Sequence, residues 1–468
     1  MRTRRSFLQA SLAATAALLA EGRGAEKAAL AAGEGVAFFA PEDAGFAEAR
    51  ALYNGGIATQ PQWIARCATE AGVRTAVRRA LEKGWPVAVK AGGHSFEGLS
   101  LNADGLVVQV AGLNGLRLDA KTGVLTAGAG CRLAEVNRFL MARGRFLPAG
   151  SCATVGLAGL TLGGGYGLFS RKWGLTCDHL RAVRMVAGTG ELHDSREEPE
   201  LLWACRGGGN GNFGVVTQLT FQTRVAPRSF SSWKFRAFNL NAREAAALLA
   251  VWFEATQALP REAFSAWVMN GRQVTVLLTT IGSPTEKGCT AFHETLKAHT
   301  DKATDAGTVP LAKALPRYFG EPGPQFFKNC SAGFYQGFAD LEAALPAVFA
   351  EVLHEPGMIF QVNTLGGAIA DGPAGAYAHR ACGYLGEQQA FWENPAHAPG
   401  RMAAAGRIRE HLVAAGIRRH YVNYPDLAFR DWETAYYGAE NYRRLQGLKQ
   451  LYDPQNLIRH AQSVQLPA

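Results

Sequence analysis

Glycine is concentrated in one part of this chain, between Gly84 and Gly214, and that concentration constrains the fold more than any other sequence feature. Because glycine lacks a Cβ atom, it permits positive φ angles and close backbone approach, but ordering it costs more chain entropy than ordering other residues. We expect that cost to be offset where a flat or phosphorylated group packs against bare backbone. Short β-rich runs and helical patterns alternate between the glycines, which predicts an α+β domain.

Glycine-rich or aromatic motifs fall in four stretches of the chain, at residues 87–98, 148–178, 201–216 and 421–442. In the first, a strand runs into a Gly-Gly-His motif ending at His94, where backbone N–H groups are placed to hold a pyrophosphate. Taken alone this loop is weak evidence, since a single histidine after such a turn is more often a turn or core residue. The second stretch is not a Rossmann fingerprint, because Leu168 stands where a third glycine would follow Gly163 and Gly165.

A different pattern occupies residues 230–417, where strand runs such as 263–269 are flanked by helical patterns at 242–257 and 339–353. Such an arrangement indicates a layer of antiparallel strands backed by helices.

The four stretches, in this order, resemble the berberine-bridge-enzyme-like flavoprotein oxidases of the vanillyl-alcohol-oxidase and p-cresol-methylhydroxylase superfamily. The resemblance runs from about Ala51 to Gln465. It implies an α+β fold in which a two-part FAD-binding domain of the p-cresol-methylhydroxylase type carries an inserted substrate domain, an antiparallel sheet backed by helices. The predicted divisions are a signal at residues 1–25 and the first part of the FAD domain at 45–225. The substrate domain follows at 226–417, and the second part of the FAD domain at 418–468.

The resemblance also implies FAD bound through two covalent bonds. His94 occupies the place of the family histidine that bonds to the flavin 8α-methyl, and Cys152 that of the cysteine that bonds to flavin C6. An imidazole nitrogen and a thiolate are nucleophiles able to attack the electron-poor ring. The alternative for Cys152 is a small residue that touches the ring without bonding to it.

Further residues are assigned to the cofactor by the same resemblance. Asn423 is expected to hydrogen-bond the flavin, and Val155 stands where family members carry an oxygen gatekeeper. Valine there leaves access for O₂ and predicts an oxidase that makes hydrogen peroxide. The predicted cofactor-binding set is Lys90, Ala91, Gly92, Gly93, Ser95, Gly98, Leu99, Gly150, Ser151, Val155, Gly156, Gly159, Gly164, Gly165, Gly167, Asp178, Gly211, Asn212, Gly214, Val215, Val216, Tyr421 and Asn423.

Tyr424 matches the tyrosine proposed as the general base in several family members. A free tyrosine has a pKa of about 10, so this role requires either a depressed pKa or a proton relay; the alternative is a tyrosine that only packs on the ring. Plant members that close rings have a glutamate base where this chain has Leu385, and Glu387 lies two residues on, facing the same side. That departure weakens any prediction of ring closure. The predicted catalytic set is completed by Tyr166, Asn363, Gln361 and Glu387.

Together these matches imply that hydride passes from a C–H next to a hydroxyl into FAD, which O₂ then reoxidises. Sugars or oligosaccharides are the first expectation for the substrate, and a secondary-metabolite alcohol or phenolic is the second. Trp267, Phe334 and Tyr335 are candidates for stacking on either, and Phe96 for lining the same pocket. A dehydrogenase that passes electrons to a quinone or protein acceptor, and a flavin-binding protein without turnover, remain alternatives.

The N-terminus resembles a twin-arginine export signal, with Arg4-Arg5 followed by an apolar run at residues 10–20. It predicts export to the periplasm or the extracellular space, with an ordinary secretory signal or a frayed helix as the alternatives. The run is shorter than the roughly 20 residues of a membrane span, so we expect no stable membrane insertion.

The net charge and the cysteine spacing limit the kinds of partner that the chain is expected to bind. The net charge of +9 comes from scattered basic residues, which indicates a solvated surface rather than nucleic-acid binding. The eight cysteines lack the paired spacing of zinc sites, so no metal is expected, while one or two disulfides stay open. The expected partners are a small-molecule substrate and O₂, and the expected state is a monomer or weak homodimer.

Overall fold

The structure is a computed structural model that describes residues 35–321 and 323–467. The predicted signal at 1–25 lies outside the described residues. Among the helices that are described, none is long and apolar enough to cross a bilayer.

The N-terminal region begins with a four-stranded sheet in the order β1-β2-β4-β3. The strands are β1 (Val36–Phe39), β2 (Trp63–Cys67), β3 (Val87–Lys90) and β4 (Leu106–Gln109). Strands β2, β4 and β3 run parallel and β1 is antiparallel to β2. Helices α1 (Phe46–Arg50) and α2 (Glu70–Lys83) accompany this sheet. Thr69 caps the start of α2 by accepting a hydrogen bond from the Gly72 N–H, and Gly84 ends the helix with a left-handed φ of 66°.

A second sheet is antiparallel, with the order β5-β6-β10-β8-β9, and strands β7 and β11 form a separate pair. The strands are β5 (Leu116–Asp119), β6 (Val124–Gly128), β7 (Arg145–Phe146), β8 (Leu180–Ala187), β9 (Leu192–Asp194), β10 (Gly214–Gln222) and β11 (Arg224–Val225). Between them lie α3 (Leu133–Met141), α4 (Leu157–Leu162), α5 (Ser170–Trp173) and α6 (Pro199–Cys205), with a 3₁₀ turn at Thr176–His179.

The central part of the chain forms an eight-stranded antiparallel sheet in the order β15-β12-β14-β13-β18-β19-β16, with β17 paired to β19. Its strands are β12 (Phe230–Ala237), β13 (Ala263–Asn270), β14 (Gln273–Thr280), β15 (Lys302–Val309), β16 (Phe327–Ser331), β17 (Phe334–Tyr335), β18 (Met358–Thr364) and β19 (Tyr384–Phe391). The helices are α7 (Ala242–Thr256), α8 (Lys287–Ala298), α9 (Leu311–Ala314), α10 (Ala339–Glu342), α11 (Leu345–His354) and α12 (Ala398–Ala414), and the 3₁₀ turns are Leu315–Tyr318, Gly367–Ile369 and Pro395–His397. The prediction of an antiparallel sheet backed by helices is confirmed.

Two details of this region differ from the sequence predictions. The single helix predicted at 339–353 is two helices, because Pro346 sits in the first turn of α11 and starts a new helix there. The three aromatic residues expected to stack on a substrate are instead buried in hydrophobic cores. Trp267 packs between the sheet and its helices, where its ring stacks on Phe349 with centroids 5.8 Å apart. Phe334 and Tyr335 are likewise buried.

After the large sheet the chain returns to the N-terminal region through α13 (Trp432–Tyr437) and α14 (Ala439–Tyr452). Both helices share one hydrophobic core with the first two sheets. A fully buried ion pair connects this C-terminal segment to the N-terminal region. Lys449 Nζ lies 2.7 Å from Asp453 Oδ2 and also donates to the Asn212 carbonyl at 2.7 Å. The shared core is consistent with a domain built from both ends of the chain, while its predicted boundaries stay predictions.

Candidate active site

Two glycine loops touch each other through bare backbone, one after β3 and one before α4. A Cβ atom on Gly92 would lie 2.3 Å from the Gly156 nitrogen, and one on Gly156 would lie 2.5 Å from the Gly92 nitrogen. Only glycine fits at either position. At this point the packing of one loop on the other offsets part of the entropy cost of the two glycines. The contact holds His94 and Cys152 at one cavity.

That cavity has a volume of about 650 Å³, within the usual range for ligand sites. One side is formed by the glycine loops and the Tyr421–Tyr424 segment, and the other by the inner face of the large sheet. Both predicted attachment residues and all five predicted catalytic residues line it. The predicted cofactor residues on its wall are Ala91, Gly92, Gly93, Ser95, Leu99, Gly150, Ser151, Val155, Gly156, Gly159, Gly167, Gly211, Gly214, Val216, Tyr421 and Asn423.

Seven predicted cofactor residues lie outside the wall, namely Lys90, Gly98, Gly164, Gly165, Asp178, Asn212 and Val215. The polar ones among them have partners within the protein. Lys90 donates to the Ala49 carbonyl at 2.8 Å, and Asp178 forms a buried ion pair of 2.7 Å with Arg380. Asn212 donates to the Gly208 carbonyl and accepts the Val464 N–H. The structure places these side chains in the supports behind the cavity.

His94 is held as a neutral imidazole. Its ring stacks on Tyr53 with centroids 4.2 Å apart and an interplanar angle of 18°, and its Nε2 lies 2.9 Å from Thr154 Oγ1. Burial, with a smaller contribution from Arg132, lowers the pKa of His94 to about 4. At neutral pH the ring therefore keeps a nitrogen lone pair, as a nucleophile requires.

Cys152 is the exposed member of the eight cysteines, all of which lie in the described part of the chain and none of which forms a disulfide there. Although its side chain is open to the cavity, the surrounding protein and then the Glu387 carboxylate raise the pKa of the thiol. Its position on the cavity wall, rather than in a core, separates it from the other seven.

Three side chains form a chain of hydrogen bonds across the cavity. The Tyr424 hydroxyl donates to the Tyr166 hydroxyl at 3.2 Å, and the Tyr166 hydroxyl donates to the Glu387 carboxylate. Phe96 stacks on Tyr424 with centroids 4.7 Å apart and rings 6° from parallel. The phenol of Tyr424 is thereby fixed at the head of a path that ends on a carboxylate.

The electrostatics of these three hydrogen-bonded side chains decide whether Tyr424 acts through a depressed pKa or through a proton relay. Burial, and then the charge of Glu387, raise the pKa of both tyrosines well above 10. Burial also raises the pKa of Glu387 above 4.5, although the hydrogen bond from the Tyr166 phenol partly opposes this. A depressed tyrosine pKa is not what this environment produces. The relay is the route that the geometry offers.

Gln361 and Asn363 project from β18 on the same side, as their spacing predicts. Gln361 Nε2 donates to Asn363 Oδ1 at 2.9 Å, and Asn363 Nδ2 lies 3.5 Å from the Tyr166 hydroxyl. Gln361 is opposite Glu387 in the strand register. Two amides therefore border the relay and present polar groups to the cavity.

The wall has the features that a flat cofactor with a phosphate-bearing tail needs. Gly159 lies in α4, is exposed toward the cavity and has nothing within 4 Å of the position of a Cβ atom. Asn210 donates to Asn423 Oδ1 at 2.6 Å, while its own Oδ1 is buried without a partner. Asn423 in turn donates to the Leu160 carbonyl at 3.0 Å. Bare backbone and an orphaned acceptor fit FAD at this wall.

Several wall residues escaped sequence reasoning. Tyr53, Arg317 and Tyr318 belong to no motif and reach the cavity through tertiary contacts. Lys234 lies on a strand whose inner face could not be assigned in advance. Thr154, the hydrogen-bond partner of His94, lies in the predicted stretch at residues 148–178. Its hydroxyl group, two residues after Cys152, was the one sequence feature that could have identified it as a site residue.

Comparisons with known proteins identify families and structures similar to this chain. A family model described as FAD binding domain matches residues 61–196, and one described as berberine and berberine like matches residues 420–465. An uncharacterized FAD-linked oxidoreductase of Bacillus subtilis is 31% identical over 442 residues, covering 90% of this chain and 95% of that protein. Chitooligosaccharide oxidase of Gibberella zeae is 29% identical, covering 88% of this chain and 89% of that protein. The crystal structure of aclacinomycin oxidoreductase matches with a TM-score of 0.83 at 25% identity, covering 92% of this chain and 100% of that chain.

Proposed function

The chain belongs to the berberine-bridge-enzyme-like FAD-linked oxidoreductases, and we propose that it is an exported oxidase that carries FAD on His94 and Cys152 and oxidises an alcohol. The comparisons confirm the predicted α+β fold of the p-cresol-methylhydroxylase type, an FAD-binding domain and an oxidoreductase activity. The observation that carries the proposal is the meeting of the two predicted attachment residues and the Tyr424–Tyr166–Glu387 relay on one cavity wall.

His94 and Cys152 are suited to hold the cofactor from two loops that support each other. The Nε2 atom of His94 is hydrogen-bonded to Thr154, and in the tautomer in which Nε2 is the donor the Nδ1 atom carries the lone pair. Stacking on Tyr53 limits rotation of the ring. When bound, FAD supplies the hydride acceptor for alcohol oxidation and passes the electrons to O₂.

The chain's own residues provide the proton path. As an alcohol is oxidised, its hydroxyl proton passes to the Tyr424 oxygen, the Tyr424 proton to Tyr166, and the Tyr166 proton to the Glu387 carboxylate. A concerted transfer avoids a free phenolate, which the raised tyrosine pKa values disfavour. The amides of Gln361 and Asn363 orient the substrate beside this path.

For the substrate we propose a sugar or oligosaccharide, which the similarity to chitooligosaccharide oxidase supports. The similarity to aclacinomycin oxidoreductase supports a secondary-metabolite alcohol as the second candidate. Val155 lies on the cavity wall, where a small side chain leaves room for O₂. We therefore propose O₂ as the electron acceptor and hydrogen peroxide as the product.

The test is a panel of sugars, oligosaccharides and secondary-metabolite alcohols mixed with the purified protein without oxygen. At least one class should bleach the flavin absorbance, and admitting air should restore it with one hydrogen peroxide per cycle. Turnover with an artificial acceptor but not with O₂ would make the protein a dehydrogenase. A flavin that stays oxidised across the whole panel would contradict the proposal.

A matched pair of variants tests the relay within the same assay. Tyr424→Phe removes the hydroxyl that receives the proton and should slow bleaching by about 10²- to 10⁴-fold. Tyr442→Phe removes a phenol outside the cavity wall and should leave the rate unchanged. Equal rates for the two variants would remove Tyr424 from the mechanism.

Export through the twin-arginine route is the remaining part of the proposal. Arg4→Lys together with Arg5→Lys should retain the protein in the cytoplasm, as measured by cell fractionation. Unchanged export of that double variant would contradict the assignment.

A further inference from the structure

The cavity does not end at the relay. Its wall continues along the inner face of the large sheet to Lys234, Arg317 and Tyr318. These three residues also line a second cavity of about 270 Å³, which extends toward Arg236 and Thr304. The two cavities adjoin each other at these shared residues, and we call them together the channel, with the relay at one end and a basic end, defined by Lys234, Arg236 and Arg317, at the other.

The strand register gives the length of this channel. One row of paired residues crosses the sheet from Glu387 through Gln361, Val268 and Thr275 to Arg236. It spans four strand spacings of about 4.8 Å, so the basic end lies roughly 19 Å from the carboxylate along the sheet. A molecule that touches both ends must be longer than a single sugar ring.

The charges of the channel are separated by sign. Among the described residues that line either cavity, Glu387 is the one carboxylate, and none lies at the basic end. Within residues 35–321 and 323–467, the side chains of Lys234, Arg236 and Arg317 form neither an ion pair nor a hydrogen bond. Hydroxyl groups of Ser232 and Thr304 add uncharged polar atoms to the same wall.

We propose that the basic end binds an anionic group on the substrate, which makes the substrate an acidic oligosaccharide oxidised at its far end beside Tyr424. Guanidinium and ammonium groups bind carboxylates, sulfates and phosphates through short charge-assisted hydrogen bonds. The inference rests on the proposed alcohol oxidation, because it takes the relay as the reacting end.

An ordinary solvated surface is the competing interpretation, since exposed lysine and arginine side chains need no partner. Two observations favour a binding site. The cations face a concavity that shares part of its wall with the reacting cavity, and Arg236 is half-buried there without a counter-charge. A patch that served only solubility would have no reason to join the reacting cavity.

The kinetic test compares cellotriose with an analogue that bears a carboxylate on the ring furthest from the reducing end. Analogues with a sulfate or a phosphate at the same carbon separate the three anions. For the holoenzyme, kcat/KM for the best anionic analogue should exceed that for cellotriose about tenfold or more, and the advantage should shrink as salt is added. Equal kcat/KM values for the neutral and all charged probes would overturn the inference.

Variants locate the effect. Combining Lys234→Gln, Arg236→Gln and Arg317→Gln should lower the ratio of anionic to neutral kcat/KM by about tenfold or more. Lys313→Gln removes one exposed charge outside both cavities and should leave the ratio as it is. A ratio that stays constant in the triple variant would overturn the inference.

A binding measurement separates this inference from the oxidase proposal. The carboxylated trisaccharide with its reducing end converted to an alditol should bind the holoenzyme in calorimetry, and the triple variant should bind it at least about tenfold more weakly. Loss of the difference, while cellotriose is still oxidised, would overturn the basic end alone. Charge-dependent binding with no turnover of any alcohol would support the basic end and overturn the oxidase.

Discussion

Glu387 sets the acid–base behaviour of the cavity, because among the described wall residues it is the one that bears a carboxylate. Its neighbours are the phenol of Tyr166, which donates a hydrogen bond to it, the phenol of Tyr424, which is one hydrogen bond further along the relay, and the thiol of Cys152. Since burial raises the pKa of Glu387 and the relay needs the ionised form, protonation should stop the relay at a higher pH than for an ordinary carboxyl group.

The first prediction concerns pH. The kcat/KM of the wild type should fall as pH falls through the raised pKa of Glu387, above 4.5, and Glu387→Gln should abolish that acidic limb. The variant should also lose about 10²- to 10⁴-fold in kcat, because no group then receives the proton. A pH profile of anaerobic flavin reduction measures both. An acidic limb that persists unchanged in Glu387→Gln would assign it to another group.

At the scale of elements, the loop that bears His94 and the loop that bears Cys152 form one unit. Their contact at Gly92 and Gly156 leaves no room for side chains, whereas Gly159 in α4 faces open space. The glycines of this region therefore serve two purposes, loop packing and access to bare backbone.

The second prediction separates those purposes. Gly92→Ala should force the loops apart and lower the free energy of unfolding of the cofactor-free protein by about 1–3 kcal/mol. Gly159→Ala replaces a helical glycine and should leave that stability unchanged or raise it, because alanine favours the helix. Its Cβ projects into the cavity, so this variant should retain less flavin. Denaturant unfolding and the flavin-to-protein absorbance ratio measure the two effects. Equal loss of stability in both would contradict the distinction.

The elements themselves were largely predictable from the sequence. Strand β13 is an almost continuous apolar run and α7 has a helical pattern, and both lie within one residue of the predicted bounds. A run that is apolar on both faces does not say which face meets the cavity, and so Trp267 was assigned to the substrate side although Ala266 and Val268 line it. That choice is made by the helices packed on the other face, which the strand's own residues do not encode.

At the scale of the whole molecule, one buried charge cluster ties three parts of the chain together. Lys328 on β16 donates a hydrogen bond to Glu97, which lies three residues after His94. It also donates to Asp426, which lies two residues after Tyr424, at 2.8 Å. Arg409 on α12 adds a bond of 3.1 Å to Asp426. The cluster joins the loop that bears His94, the segment that bears Tyr424 and the large sheet.

The third prediction follows from this cluster. Lys328→Met leaves two carboxylates buried without their shared cation and should lower the free energy of unfolding by about 3–5 kcal/mol. Arg444→Met breaks an exposed pair with Glu200 and should cost about 1 kcal/mol or less. Urea unfolding of both variants gives the comparison. Similar small losses would show that the cluster is not a structural clamp.

The site as a whole was only partly predictable. His94, Cys152 and Tyr424 were predicted because they lie in motifs that the resemblance assigns to the site, and all three line the cavity. Tyr53 and Arg317 lack such a pattern, since each reaches the wall from a segment whose position depends on packing between distant parts of the chain. The end of the channel opposite Glu387 became visible only with the strand register.

The account depends most directly on the two attachment residues, and the mass of the denatured protein tests them. After acid denaturation and removal of small molecules, the wild-type chain should carry the added mass of one FAD. His94→Ala and Cys152→Ala should each retain FAD through the remaining bond, and the double variant should carry none. Release of all flavin from the denatured wild type, leaving the mass of the bare chain, would contradict the account.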